Sequence, residues 1–237
     1  MNSETHTDAN ATKIFCAIDT DDLEHAKALI AQLAPTGIGI KLGLEFFNHF
    51  GADGVEKAMA VAPNNSLFLD LKFHDIPNTV AGAVRAVSHR LKPAYLNVHA
   101  AGGLEMMQQA KAACYEGSKL LAVTVLTSLD DTALQQVGQK TPAHAQVETL
   151  GKLTQQAGLD GVVCSSKEIE ILRRTCGDEF ALITPGIRPA GASLDDQKRV
   201  MTPKQALDLG ATHLVIGRPI TQADDPSHAT RKILESL

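Results

Sequence analysis

The chain has 237 residues, of which 44% are hydrophobic and 21% charged, and a formal net charge of −5. That is enough length and apolar content for one large α/β domain with a sizeable core. A pI near 6.0 and the lack of any long Lys/Arg run argue against a nucleic-acid partner, and no run of 18 apolar residues suggests a membrane span.

The polar start, residues 1–12, lacks the apolar centre of a signal peptide. It is expected to be a disordered tail ahead of a single domain over 13–237. Short β-rich runs then alternate with helical patterns. KIFCAID (13–19) is followed by a helix from Asp22 to Leu33, with Leu23, Ala26, Leu29, Ile30 and Leu33 on one face. GIGIKLG (37–43), SLFLDLKF (66–73), AYLNVHA (94–100), KLLAVTVL (119–126) and GVVCS (161–165) come next. Ser165 and Ser166 can cap a helix running through Ile169, Leu172 and Arg173, and EFALITPGI (179–187) and THLVIG (212–217) complete the series. Gly117, Gly158, Gly177 and Gly210 are placed to close helices before the next strand. Eight strands with helical crossovers predict an α/β fold of the (β/α)8 TIM barrel type. The glycines of GIGIKLG fall inside a strand, not between strand and helix, which weighs against an open dinucleotide-binding sheet. Cys16, Cys114, Cys164 and Cys176 form no CxxC pair and no zinc spacing. Cys16 and Cys164 lie in apolar strand-like runs and are expected as small core residues of a protein kept in the reducing cytoplasm.

The third strand carries the strongest chemical signal. Alternate side chains of a strand share a face, so Leu67, Leu69, Leu71 and Phe73 point one way and Phe68, Asp70 and Lys72 the other. An acid and a base among hydrophobic residues cost several kcal/mol per ion unless they pair, and such groups cluster at active sites. Barrel chemistry sits at the carboxyl ends of the strands, and polar residues gather there throughout. They are Asp19, Lys41, Asp70 and Lys72 with Asp75 just beyond, Asn97 and His99, Thr127 and Ser128, Arg188, and Gly217 with Arg218. The loops after the seventh and eighth strands commonly hold a phosphate. Gly217 lets the backbone approach it, Arg218 supplies a bidentate donor, and Arg188 can reach in from a long loop at 188–200 that is expected to act as a lid.

DLKFHDIPNTV (70–80), together with Asp19, KLGLE (41–45), VTVLTS (123–128), PGIRP (185–189) and IGRPIT (216–221), resembles the orotidine 5′-phosphate decarboxylase family across residues 13–237. The resemblance implies decarboxylation of orotidine 5′-phosphate to UMP in pyrimidine biosynthesis, with no cofactor and no metal. It implies a charge network of Lys41, Asp70, Lys72 and Asp75 around the scissile carboxylate, in which Lys72 protonates pyrimidine C6. It further implies a homodimer in which Asp75 and Thr79 reach the neighbouring subunit's site. Asp19 and Lys41 would bind ribose hydroxyls, Ile76 would contact substrate, Thr127 would meet the pyrimidine edge, and Arg188, Gln197, Gly217 and Arg218 would hold the phosphate side. Two other functions are separable from this one. A magnesium-dependent phosphosugar decarboxylase or aldolase of the same barrel superfamily would lose activity on chelation, and His74 beside Asp75 is the nearest approach to a ligand pair. A non-catalytic phosphoribosyl-binding barrel would bind UMP without turnover, and sensing needs no buried Lys72.

Overall fold

The computed structural model describes residues 13–188 and 201–237; the expected tail at 1–12, Gln197 and all of the expected lid except Arg188 lie outside them. Eight strands follow in chain order: β1 Ile14–Ile18, β2 Gly39–Gly43, β3 Leu67–Phe73, β4 Tyr95–His99, β5 Lys119–Val123, β6 Gly161–Val163, β7 Ala181–Pro185 and β8 His213–Ile216. Each pairs in parallel with the next. β8 closes on β1 from Ile14↔Leu214 to Cys16↔Ile216, so the fold is the (β/α)8 TIM barrel that the alternation predicts. Each of the eight expected runs contains its strand. The fifth is shorter than its apolar run: β5 stops at Val123, so Thr127 and Ser128 sit in the loop beyond it.

The helices are α1 Leu23–Leu33, α2 Leu44–Met59, α3 Pro77–Leu91, α4 Leu104–Ala113, α5 Asp131–Gln136, α6 Ala143–Gln156, α7 Ile169–Cys176, α8 Pro203–Asp208, α9 Arg218–Thr221 and α10 Pro226–Glu235. α1 begins where Asp22 accepts the His25 amide at 3.0 Å, satisfying a donor that the helix start leaves free. Its Ala26, Leu29, Ile30 and Leu33 are buried, while Leu23 is half-buried at its first turn. Ser165 does act as a cap, in a reciprocal box with Glu168. The turn it opens is a 3₁₀ turn, Ser166–Glu168, and α7 starts only at Ile169. Ile169 and Leu172 face the core, but Arg173 does not continue that face. Its guanidinium folds back to the carbonyls of Gly177, Asp178, Phe180 and Gly210, at 2.6 to 3.1 Å. Gly158, Gly177 and Gly210 adopt positive φ after their helices as expected. Gly117 does not, because α4 has already stopped at Ala113.

The apolar residues form two layers. Between barrel and helices lie one face of the strands, including Ile14, Cys16, Leu67, Leu69 and Leu96, and the inner faces of the helices. Inside the barrel lie Phe15, Phe68, Tyr95, Leu121, Ile183 and Val215. Each fully buried side chain of this size contributes about 1.5–3 kcal/mol of transfer free energy. Cys16 and Cys164 are 0% and 1% exposed, and burial pushes both thiols up to about 12. All four cysteines are free. Among the described residues no helix is long and apolar enough to cross a membrane.

Candidate active site

β2 and β3 build the charged part of the barrel mouth. Lys41 lies mid-strand on β2, paired in register with Phe68, and Gly43 pairs with Asp70. Strand alternation sends Leu67, Leu69 and Leu71 to the helix layer and Phe68 into the barrel. Asp70 and Lys72 follow Phe68 inward, but not on a regular strand. Between Leu69↔Leu96 and Phe73↔Val98, β3 advances four residues while β4 advances two. The excess forms a bulge, the device that re-aims side chains beside active sites. Within it Lys72 adopts φ 49°, a left-handed conformation that costs an L-residue roughly 1–2 kcal/mol.

Asp70 is the hub. Its Oδ2 accepts from Lys41 Nζ at 2.9 Å, and its Oδ1 accepts from Lys72 Nζ at 2.5 Å and from Asn97 Nδ2 at 2.7 Å. Lys41 Nζ also lies 3.8 Å from Asp19 Oδ1. Burial by itself would raise the Asp70 carboxyl. The Lys41 and Lys72 ammoniums, with the hydrogen bonds from Lys72 and Asn97, outweigh it and hold the group well below the usual carboxylate range. Asp70 is therefore ionised throughout the neutral range. Gly43 leaves the room this needs: a Cβ there would stand 3.1 Å from Asp19 Oδ1 and 3.4 Å from Lys41 Nζ.

These charges open onto a cavity of about 320 Å³ that includes Asp19, Lys41, Asp70 and Lys72. Across the barrel its wall is apolar, with Val125, Val163 and Pro185; Thr127 and Gly217 also line it. A Cβ on Gly217 would meet only Ala17, at 3.6 Å. Packing within the chain therefore does not require a glycine there, and the backbone is left bare toward the cavity. A volume of this size and a wall divided into charged and apolar halves suit a small polar ligand held in one orientation.

The structure does not bring every expected residue to this cavity. Asp75, Ile76 and Thr79 are exposed at and just before the start of α3, and none lines the cavity of its own chain. Asp75 Oδ1 accepts the Ile76 amide at 2.6 Å, and Ile76 is 66% exposed. Arg218 is exposed as the first residue of α9. Arg188 is half-buried after β7, and its amide donates to Met201 O at 3.3 Å. Neither arginine lines the cavity. Asn97, noted in the sequence only as a polar strand end, proves fully buried and bonded to both Asp70 and Lys72. The available signal was an amide in an otherwise apolar strand core, where an unpaired polar group is costly. His99, at the end of β4, packs against His74 with ring centroids 5.5 Å apart. Burial pushes its imidazole down, helped by His74 and Lys72. Among the described residues no group of three or more His, Cys, Asp or Glu side chains is arranged to hold a metal ion.

Fold and site together define a parallel β/α barrel with a Lys/Asp array opening onto a cavity at the carboxyl ends of the strands. The family described as Orotidine 5'-phosphate decarboxylase / HUMPS family matches residues 12–233. Orotidine 5'-phosphate decarboxylase of Rhodospirillum rubrum is 53% identical over 228 residues, covering 93% of this chain and 92% of that protein. Its counterpart from Idiomarina loihiensis is 49% identical over 228 residues, covering 95% and 97%. The crystal structure of orotidine 5'-phosphate decarboxylase from Lactobacillus acidophilus superposes with a TM-score of 0.81 at 37% identity, covering 95% of this chain and 98% of that one. The chain belongs to the orotidine 5′-phosphate decarboxylase / HUMPS family.

Proposed function

We propose that the protein decarboxylates orotidine 5′-phosphate to UMP, without a cofactor, as a step of pyrimidine biosynthesis. The observation that carries this reading is the Lys41–Asp70–Lys72 array at the cavity, with Lys41 buried and Asp70 and Lys72 half-buried. In the reaction the bond from C6 to the carboxylate breaks, CO2 leaves, and the electron pair stays on C6. That pair lies in the ring plane, where the π system cannot delocalise it. Stabilisation must then come from charge already in place, and the Lys72 ammonium beside C6 supplies it. The same ammonium gives its proton to C6, so no separate acid is needed. Asp70, kept ionised by its neighbours, sits near the departing carboxylate and disfavours it, and neutral CO2 relieves that contact. Lys41 orients Lys72 through the Asp70 carboxylate that both ammoniums share, and Asp75 does so from the neighbouring subunit.

The remaining substrate is gripped around this centre. Asp19 and Lys41 bind ribose hydroxyls, Thr127 meets the pyrimidine edge, and Ile76 contacts substrate. Gly217, Arg218, Arg188 and Gln197 take the phosphate side. Asp75 and Thr79 act in the neighbouring subunit's site, so the working unit is a homodimer with composite sites. Their exposure, and their absence from the cavity of their own chain, support that assignment. Free cysteines throughout support a reducing, cytoplasmic setting.

The test is direct: follow the ultraviolet absorbance of orotidylate with purified protein and EDTA. A fall in absorbance with stoichiometric UMP, unaffected by the chelator, is expected. Turnover abolished by EDTA and restored by magnesium would favour the metal-dependent phosphosugar chemistry instead. UMP binding without any turnover would mark a sensing barrel.

A further inference from the structure

We propose that Asn97 is a positioning residue that braces the strained backbone of Lys72 and orients Asp70 at the same time, setting the proton donor's place in the site. This rests on the assignment of Lys72 as proton donor. Three observations converge on the one amide. First, Asn97 is 0% exposed in the middle of β4, with no solvent to satisfy a mispaired group. Second, both ends of its side chain are engaged on the neighbouring strand. Oδ1 accepts the Lys72 backbone amide at 2.8 Å, and Nδ2 donates to Asp70 Oδ1 at 2.7 Å. Third, these contacts fall where the β3–β4 ladder is broken by the bulge and where Lys72 holds its positive φ.

A regular ladder would satisfy the Lys72 amide with a β4 carbonyl. Within the bulge that partner is replaced by the Asn97 side chain, so the φ that aims Lys72 persists because an amide on the next strand receives its N–H. The other half of the same amide fixes the carboxylate to which Lys72 Nζ is bonded. Backbone and charged tip of the proton donor are thus referred to one rigid group. Preorganisation of this kind appears in the chemical step more than in ground-state binding. Only a side chain with an acceptor and a donor in one plane can do both. Aspartate keeps the acceptor for the Lys72 amide but turns a charge on Asp70, unless it carries a proton.

The experiment compares wild type, Asn97→Ala and Asn97→Asp, with kcat and KM for orotidylate measured across pH and the fold checked by circular dichroism. Asn97→Ala is expected to lower kcat by roughly 10- to 100-fold, the range of one lost charge-assisted hydrogen bond, with KM nearly unchanged. Asn97→Asp is expected to recover kcat as pH falls, because a proton shared between residues 97 and 70 restores the donor; wild type should show no such rise over the same range. Rates of both variants close to wild type would overturn the proposal. So would a pH-independent loss in Asn97→Asp, or loss of the folded circular dichroism spectrum in both variants, which would make Asn97 a residue of folding alone. Lys72→Ala, run in parallel, separates the two levels. If it stays active, the proton-donor assignment itself fails; if it is dead while Asn97→Ala is normal, only the brace fails.

Discussion

The two ends of this barrel are built on opposite terms. At the amino-terminal end of the strands, Phe15, Phe68 and Tyr95 meet edge to face with ring centroids 5.6 to 6.1 Å apart. His213 completes the group, 5.1 Å from the Tyr95 ring, with its Nε2 3.2 Å from the Tyr95 hydroxyl. Gly39 is bare because the Phe15 ring occupies the place of its Cβ. At the carboxyl end stand a half-buried carboxylate, the two ammoniums bonded to it and a backbone bulge with a left-handed lysine. The floor is close-packed and apolar, the arrangement that stabilises a fold. The mouth holds desolvated charge and strain, which cost stability and persist where function needs them. Four of the eight strands, β1, β3, β4 and β8, contribute to the floor, and each also carries or runs into mouth residues: Asp19 after β1, Asp70 and Lys72 on β3, Asn97 on β4 and Gly217 after β8. A single strand therefore carries packed aromatic rings at one end and charge at the other.

Mutations at the two ends should separate those roles. The largest effect is expected from Lys72→Ala, which on the proposed mechanism removes both charge stabilisation and the proton donor. kcat should fall by roughly 10⁴-fold or more, with the urea unfolding midpoint little changed. A variant retaining a tenth of wild-type activity would remove Lys72 from the chemistry. Mixed with inactive Asp75→Ala subunits, Lys72→Ala should regain activity, because in the proposed composite dimer a heterodimer has one site carrying both defects and one carrying neither. No recovery despite verified subunit exchange would place Asp75 in its own chain's site.

Phe15→Ala is the converse experiment. It should cost about 3–5 kcal/mol of stability in urea titration, with kcat preserved wherever the protein remains folded. A large fall in kcat at full foldedness would mean that floor and mouth are mechanically coupled.

Arg218→Ala tests whether the far rim of the mouth serves catalysis. Binding energy gripped at a phosphate remote from C6 can be expressed in rate. The variant should lose about 1.5–3 kcal/mol in kcat/KM for orotidylate and almost nothing for a substrate lacking the phosphate. Equal fractional losses on both substrates would make Arg218 a structural residue.

The smallest effect concerns pH. Burial, with Lys119 and Lys13 nearby, pushes the His213 imidazole down from 6.5 to about 4. The unfolded chain then binds a proton on this group more readily than the folded one. Stability should fall as pH drops from 6.5 toward 4 and level off below, by on the order of 1–3 kcal/mol. Asp70 acts in a lower window: its carboxyl is depressed on folding, so its contribution is intact above the ordinary carboxylate range and is lost only below it. Urea titrations of wild type and His213→Gln between pH 7 and 4 check this. An unchanged slope in the variant would show that His213 is not the titrating group.

Local periodicity was enough to find the strands and to put charge at their carboxyl ends. Period-two alternation in β3 separates Leu67, Leu69 and Leu71 from Phe68, Asp70 and Lys72 whatever the rest of the chain does, and the β/α alternation leaves few topologies besides a barrel. The inner face of α1 was legible for the same reason, since it depends on residues within one helix; the cap at Asp22 was not singled out. α5 was not, being too short to show a period.

The bulge in β3, the left-handed Lys72 and the two hydrogen bonds that Asn97 makes with Lys72 and Asp70 arise only once β3 lies against β4, because they exist to reconcile two strands whose registers disagree. Which charges pair was also settled by the closed barrel. In sequence Lys41 and Asp70 are 29 residues apart; strand pairing brings them to 2.9 Å. Phe15, Tyr95 and His213 carry no mutual signal along the chain and form the floor only because closure of the barrel turns β1, β4 and β8 inward together. Sequence determined the residue types and the end of the barrel at which they would lie, since side-chain direction along a strand is a local property. Tertiary structure alone decided their partners, since hydrogen bonds and ion pairs depend on distances that only packing sets.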